Sequence, residues 1–146
     1  MRALIQRVTE ASVVVDGMII GKIGKGLLVF IGISNKDSDT EIEKMVSKII
    51  QLRIFNDEIG KMNLSVQDTG GSLLIVSQFT LYGDARKGNR PSFTESAPPT
   101  DAKLVYERFL AYLRKQFTGN IQSGEFGADM KVSLVNDGPV TIWLEI

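Results

Sequence analysis

Ser77, Gln78, Phe79 and Thr80 follow directly on "SLLIV", residues 72–76, so two hydroxyls, an amide and an aromatic ring stand where an apolar strand should end. The carboxyl ends of strands are where α/β proteins commonly bind ligands. Hydroxyls at such a place also satisfy local backbone groups as a strand stops, and residue types alone favour that plainer use. A second stretch, "GDARKGNRPSF" at residues 83–93, gathers Arg86, Lys87 and Arg90 among glycines and ends on Phe93. That composition suits either a phosphate grip or a solvated loop. A third, "GNIQSGEFGADMKV" at residues 119–132, sets Phe126 and Met130 close to the last strands, where core packing is the default for apolar side chains. In "LVNDGPVTIWLEI", residues 134–146, Gly138 and Pro139 interrupt a strand-like run. Proline cannot donate a ladder hydrogen bond, so a strand interior is an unexpected place for it.

Two absences narrow the chemistry further. The chain has no cysteine, which removes thiolate nucleophiles, disulfides and zinc–thiolate sites. It has no histidine either, which removes the Ser-His-Asp triad, imidazole acid–base work and the commonest transition-metal ligand. Ser77 and Thr80 therefore have no imidazole to activate them, and the stretch is not a Gly-x-Ser-x-Gly elbow. An enzyme built from these residues works with backbone, hydroxyl, amide, carboxylate or Lys/Arg groups, or borrows a group from its substrate. Neither a metal nor another cofactor is expected.

The 17 basic and 17 acidic residues cancel, so any nucleic-acid contact must be local. At 146 residues, 43% hydrophobic and 23% charged, the chain has the size and composition of one globular domain, 1–146. No apolar run approaches the roughly 20 residues of a membrane helix, and "MRALIQRVTE" lacks a signal-peptide core. A soluble, cytoplasmic protein is expected.

The elements that must position these residues alternate between two periods. "ALIQRVTEASVVV" reads as a strand, followed by the two-residue hairpin signal Asp16-Gly17, then "MIIGKIG" and "KGLLVFIGIS". Gly32, inside the last run, implies a bulge or a close backbone approach. Ile42, Met45, Val46, Ile49 and Ile50 repeat with helical spacing after Asp37, Ser38 or Asp39 as cap. A buried strand leads into residues 77–80. A second helix follows Pro98-Pro99, with Thr100 or Asp101 as cap, Val105, Phe109, Tyr112 and Leu113 on one face, and Gly119 as its stop. Two strands, "ADMKVSLVND" and "PVTIWLEI", close the order β-β-β-α-β-α-β-β. It predicts an α/β fold: a mixed sheet or partly closed barrel with two main helices packed on it.

"SQFTL" at residues 77–81 and "NDGPVT" at 136–141 resemble the two signature motifs of the D-aminoacyl-tRNA deacylase (D-tyrosyl-tRNA(Tyr) deacylase) family, the Asn-x-Gly-Pro-x-Thr form being complete. The resemblance runs from "MRALIQRV" to the last strand. It implies a homodimer of a compact, β-barrel-like α/β fold that needs no metal and hydrolyses the ester between a D-amino acid and the 3′ end of tRNA, a proofreading step in translation quality control. It implies a pocket made of Ser77, Gln78, Phe79 and Thr80, entered across the dimer interface by the Gly138–cis-Pro139 pair of the other subunit. Phe126 and Met130 fall where the family lines its site for the terminal adenosine. Arg7 matches a position that supports the Gly-Pro turn, and Asn136 and Thr141 complete the second motif.

With those roles, the missing histidine has an explanation. An aminoacyl ester is an activated bond, so positioning and an oxyanion hole supply much of the acceleration. Backbone N–H groups near Phe79 and Thr80 and the Gln78 amide are the expected donors, and the terminal ribose 2′-hydroxyl can help activate water. A lone threonine hydroxyl without a base is a poor nucleophile, so Thr80 is expected to position rather than attack. A non-catalytic nucleic-acid-binding module is the contrasting reading; zero net charge and the lack of aromatics interleaved with the basic residues speak against it. A purely structural dimer leaves both motifs unused.

Overall fold

The computed structural model describes residues 1–146. Two long strands organise it. β1 (Arg2–Val15) pairs antiparallel with β8 (Lys131–Glu145) from Arg2↔Glu145 to Val14↔Lys131. On its other edge β1 meets β3 (Gly26–Gly32) along its first half and β2 (Met18–Ile23) along its second. The β1–β2 connection is the expected tight turn, with positive φ at both Asp16 and Gly17, as a type I′ hairpin requires.

β3 continues the sheet through two parallel partners, β6 (Ser72–Ser77) and then β7 (Ile121–Ser123). The sheet curls until β2 lies against β7: a Cβ added to Gly21 would sit 3.1 Å from the Ser123 carbonyl oxygen. The expected mixed, barrel-like sheet is therefore what forms. A separate small hairpin, β4 (Phe55–Asn56) with β5 (Met62–Leu64), is too short to leave an alternating sequence signal.

Curling gives the sheet two apolar faces, each with its own core. Leu27, Val29, Ile31, Leu73 and Ile75 face α1 (Asp39–Gln51) and α2 (Pro99–Gln116), while Leu28, Leu74 and Val76 face inward with Val8, Ala11, Val13 and Ile23. Strands buried on both faces read as continuous apolar runs, which is why "GLLVFIG" and "SLLIV" show no alternation. β1 serves both cores because its odd-numbered residues change face part-way along. Ala3 and Ile5 join the helix-side core; beyond a register shift around Thr9, odd-numbered Ala11, Val13 and Val15 join the inner one. A one-residue bulge moves every later side chain to the opposite face.

α1 starts as expected, with a Ser38–Glu41 capping box and Ile42, Met45, Val46, Ile49 and Ile50 buried. α2 departs from the expected ends. Pro98 occupies the N-cap and Pro99 the first helical position, so neither Thr100 nor Asp101 caps it. Proline is suited to that first position because its missing N–H would have no helical partner there. The helix stops at Gln116 with Phe117 as C-cap, and Gly119 lies beyond it, packed against the Phe117 ring. No helix is long and apolar enough to cross a membrane.

The two expected terminal strands are one strand. β8 runs through Gly138 and Pro139, but its pairing with β1 jumps from Gln6↔Thr141 to Val8↔Asn136. Four residues of β8 then stand opposite the single residue Arg7, and the excess bows out of the ladder. The Gly138-Pro139 peptide within this bow is cis.

Candidate active site

β6 delivers Ser77 to the end of the parallel part of the sheet. There the chain leaves the ladder, with the Gln78 N–H donating to the Ile31 carbonyl at 2.7 Å. It then winds into a 3₁₀ turn over Phe79–Tyr82 with no side-chain cap. The close approach that Gly32 implied is this turn: a Cβ on Gly32 would meet Leu81, the Gln78 carbonyl oxygen and Tyr82 at 3.1–3.2 Å. The first N–H groups of any helical turn have no partner within it, and here they belong to Phe79 and Thr80.

Ser77, Gln78 and Phe79 form one wall of a cleft of about 830 Å³. Phe93, Thr94 and Ser96 with the start of α2 (Pro98, Pro99, Ala102) form another, and Phe126 and Met130 close it. Phe79 is 58% exposed and meets Phe93 edge-on at 5.1 Å between ring centroids. Phe126 and Met130 are half-buried and serve twice, since both line the cleft and rest on the cores, Phe126 against Tyr106 at 5.7 Å. The Tyr106 hydroxyl donates to the Ile75 carbonyl at 3.1 Å, and burial pushes its pKa upward. Tyr82, the last residue of the 3₁₀ turn, is pushed up to about 12 by burial and by Asp37, so both phenols stay neutral.

No lysine, arginine, aspartate or glutamate lines this cleft. Its polar groups are hydroxyls, the amides of Gln78 and Asn35, and backbone. Thr80 is exposed and outside the lining; its hydroxyl accepts a hydrogen bond from the Gln78 side-chain amide.

The second motif lies elsewhere in the subunit. Gly138 and Pro139 are exposed and do not line the cleft. Their support is extensive. The Asn136 side-chain amide donates to the carbonyls of Arg7 (2.9 Å) and Val140 (3.0 Å), fastening the base of the bow. Thr141 donates to the Asn136 side-chain oxygen at 3.4 Å and accepts from Gln6 at 3.2 Å. Arg7, only 7% exposed, donates to the Ile54 carbonyl at 2.6 Å. Its Nε faces Asp137 Oδ2 at 3.1 Å as an ion pair, off the line of a hydrogen bond. Gly138 has φ +115°, and a Cβ there would lie 2.8 Å from Arg7 Nη2 and 2.9 Å from Val140. Only glycine fits that place.

Sequence reasoning expects Ser77, Gln78, Phe79 and Thr80 in one pocket with Phe126 and Met130. The structure brings these together except Thr80, which stands outside the lining, and keeps Gly138, Pro139, Arg7, Asn136 and Thr141 as a separate unit. Sequence reasoning missed Phe93 and the Pro98-Pro99 wall, which the sequence showed only as the end of a long loop. It also missed Asp137, whose pairing with Arg7 spans almost the whole chain.

Fold and cleft are those of a curled mixed-sheet α/β protein whose cleft offers backbone, hydroxyl and amide groups as its polar lining. The family model described as D-Tyr-tRNA(Tyr) deacylase matches residues 4–145. A D-aminoacyl-tRNA deacylase of Thermosipho melanesiensis is 56% identical over 145 residues, covering 99% of this chain and 97% of the relative. One of Ruegeria pomeroyi is 54% identical over 146 residues, with both chains covered in full. The solved structure titled c-Myc DNA Unwinding Element Binding Protein superposes with a TM-score of 0.96 at 49% identity, covering 100% of this chain and 99% of that one. The chain belongs to the D-Tyr-tRNA(Tyr) deacylase family.

Proposed function

We propose that this member of the family hydrolyses the ester of D-aminoacyl-tRNA in composite sites of a homodimer. Each subunit supplies its cleft and lends its Gly138-Pro139 turn to the other. The carrying observation is the separation just described. The turn is exposed, held in shape by Arg7 and Asn136, and outside its own cleft. An exposed turn braced from beneath and standing outside its own subunit's cleft is suited to a partner's pocket. In a two-fold dimer the exchange is reciprocal.

In this reading Phe126 and Met130 hold the terminal adenosine of the tRNA, and the ester carbonyl lies against residues 77–80. Water attacks the carbonyl carbon, a new C–O bond forms, and the ester C–O bond breaks to release the ribose hydroxyl and the amino acid. The ribose 2′-hydroxyl helps activate the water. The transient oxyanion accepts hydrogen bonds from N–H groups at Phe79 and Thr80 and from Gln78. Thr80 positions Gln78. The partner's turn offers backbone carbonyls to the α-ammonium group and blocks the direction an L side chain must take. Glycine has nothing to block, so glycine on tRNA passes the filter in part.

Mixing two inactive variants tests the composite site. One carries Gln78→Ala and Phe79→Ala, the other Gly138→Val and Pro139→Ala. Subunit exchange from equal amounts makes about half the dimers mixed, each with one whole site, so about a quarter of wild-type activity on D-Tyr-tRNA returns. Verified exchange of folded dimers without recovery refutes the cross-subunit turn. The wild-type assay also separates this reading from a non-catalytic nucleic-acid-binding module, which predicts no turnover.

A further inference from the structure

The cleft and the Gly138-Pro139 turn account for the two motifs but not for the loop between them. Residues 84–92 carry three cations, Arg86, Lys87 and Arg90, against one carboxylate, Asp84, in a chain of zero net charge. The loop is built, not merely solvated. Asp84 and Ser92 pair as an antiparallel bridge, N to O at 2.8 and 2.9 Å in both directions. Arg86 closes on Asp84 through Nε–Oδ1 at 2.9 Å and Nη2–Oδ2 at 2.6 Å, and its N–H also donates to Oδ1. That fork holds the Asp84 carboxyl far below the usual carboxylate range. It also uses up the Arg86 charge. Lys87 and Arg90 have no ion-pair partner, and with Asp84, Arg86 and Ser92 they line a depression without a single apolar side chain.

Both ends of the loop are fixed to the cleft. It leaves from the 3₁₀ turn and returns at Phe93, whose ring meets Phe79 on the cleft wall and packs against Gly83. A nucleic acid whose 3′ end occupies the cleft must lead its phosphates out over the rim. The cleft has no cation to meet them. Arg2, which donates to the Leu81 carbonyl of the 3₁₀ turn, is committed to Glu145, Glu95 and the Tyr82 ring.

We propose that residues 84–92 grip the phosphate backbone of the tRNA acceptor end, with Lys87 and Arg90 making the phosphate contacts and the Asp84–Arg86 fork fixing the shape of the loop. This rests on the tRNA substrate proposed above. Phosphates succeed one another about every 3.4 Å of rise along one strand, so cations three residues apart on a curved loop can reach different ones. Such contacts add affinity and salt dependence without touching the reacting ester.

The test compares wild type with Lys87→Gln/Arg90→Gln, which leaves the fork intact. Uncharged full-length tRNA is the binding probe. D-Tyr-tRNA and D-tyrosyl-adenosine, which has no phosphate, are the substrates. The double variant should bind tRNA about tenfold more weakly, and the slope of log K against log salt should flatten by about 1.5. KM for D-Tyr-tRNA should rise by the same factor while kcat and the rate on D-tyrosyl-adenosine stay unchanged. Unchanged tRNA binding and salt slope overturn the proposal. So does an equal loss on D-tyrosyl-adenosine, which makes the loop part of the cleft, or duplex DNA competing as strongly as tRNA. Loop-dependent tRNA binding by a wild type that hydrolyses neither substrate supports the grip and removes the proposed reaction instead.

Discussion

The cleft and the Gly138-Pro139 turn solve opposite problems. The cleft is concave, uncharged and assembled mostly from one strand end and the segments beside it; its side chains face the space they line. The turn is convex and exposed, and its side chains face inward as struts: Asn136 ties Arg7 to Val140, and Arg7 spans from Asp137 to Ile54. What the turn shows to the outside is chiefly the Gly138 backbone and the Pro139 ring. In the proposed dimer a backbone surface fixed by buried polar groups meets a pocket that contributes backbone donors, so selectivity needs no charged or nucleophilic side chain at the point of contact. Side chains at the turn should therefore matter through geometry, and side chains at the cleft through contact.

Gly138→Ala attacks the turn most directly. Its methyl group would stand 2.8 Å from Arg7 Nη2, at a φ that L residues rarely adopt. We expect a loss of about 2 kcal/mol in chemical denaturation. Deacylation of D-Tyr-tRNA should fall about 100-fold, because a displacement on the order of 1 Å is enough for that. Activity within tenfold of wild type would show that the turn takes no part in the site.

Asn136→Ala removes the two hydrogen bonds at the base of the bow and leaves Gly138 and Pro139 in place. A stability loss of about 1–2 kcal/mol is expected from buried groups left unpaired. Activity should fall about tenfold as the turn loosens, with a larger share of residual activity on L-Tyr-tRNA than in wild type. A stability loss without any change in the D/L ratio would separate the strut from the filter.

Thr80→Ala should have the smallest effect and sharpens the contrast from the other side. Its side chain is exposed and outside the lining, so stability should stay within about 0.5 kcal/mol. Activity should stay within about fivefold, reflecting only the lost contact to Gln78. A fall to the uncatalysed rate in a folded, tRNA-binding variant would show that the hydroxyl enters the chemistry.

The amphipathic spacing of α1, the Asp16-Gly17 hairpin and the doubly buried runs of β3 and β6 could be read directly, because each follows from neighbours within a few residues. The strand-end placement of Ser77, Gln78 and Phe79 could be read for the same reason. α2 shows the limit of local rules: Thr100 and Asp101 are good caps, but two prolines ahead of them preset the chain and start the helix earlier. Pro139 shows the same limit. Its local signal is a broken strand, and two strands were the natural reading. Yet Arg7, 129 residues away from Asn136, supplies the single residue around which β8 bows and continues.

What the sequence by itself determined is therefore the set of chemical groups and the local elements. It excludes imidazole and thiolate, orders a mixed sheet with two helices, and marks two motifs and a basic loop. Tertiary structure alone decided their grouping. Phe79, Phe93, Phe126 and Pro98 become one cleft because the sheet curls and brings β6, the start of α2 and the approach to β8 to one end. Gly138 becomes obligatory because Arg7 lies beneath it. Spatial proximity between residues distant in the chain is set by register and curvature, and neither can be read from a run of neighbours.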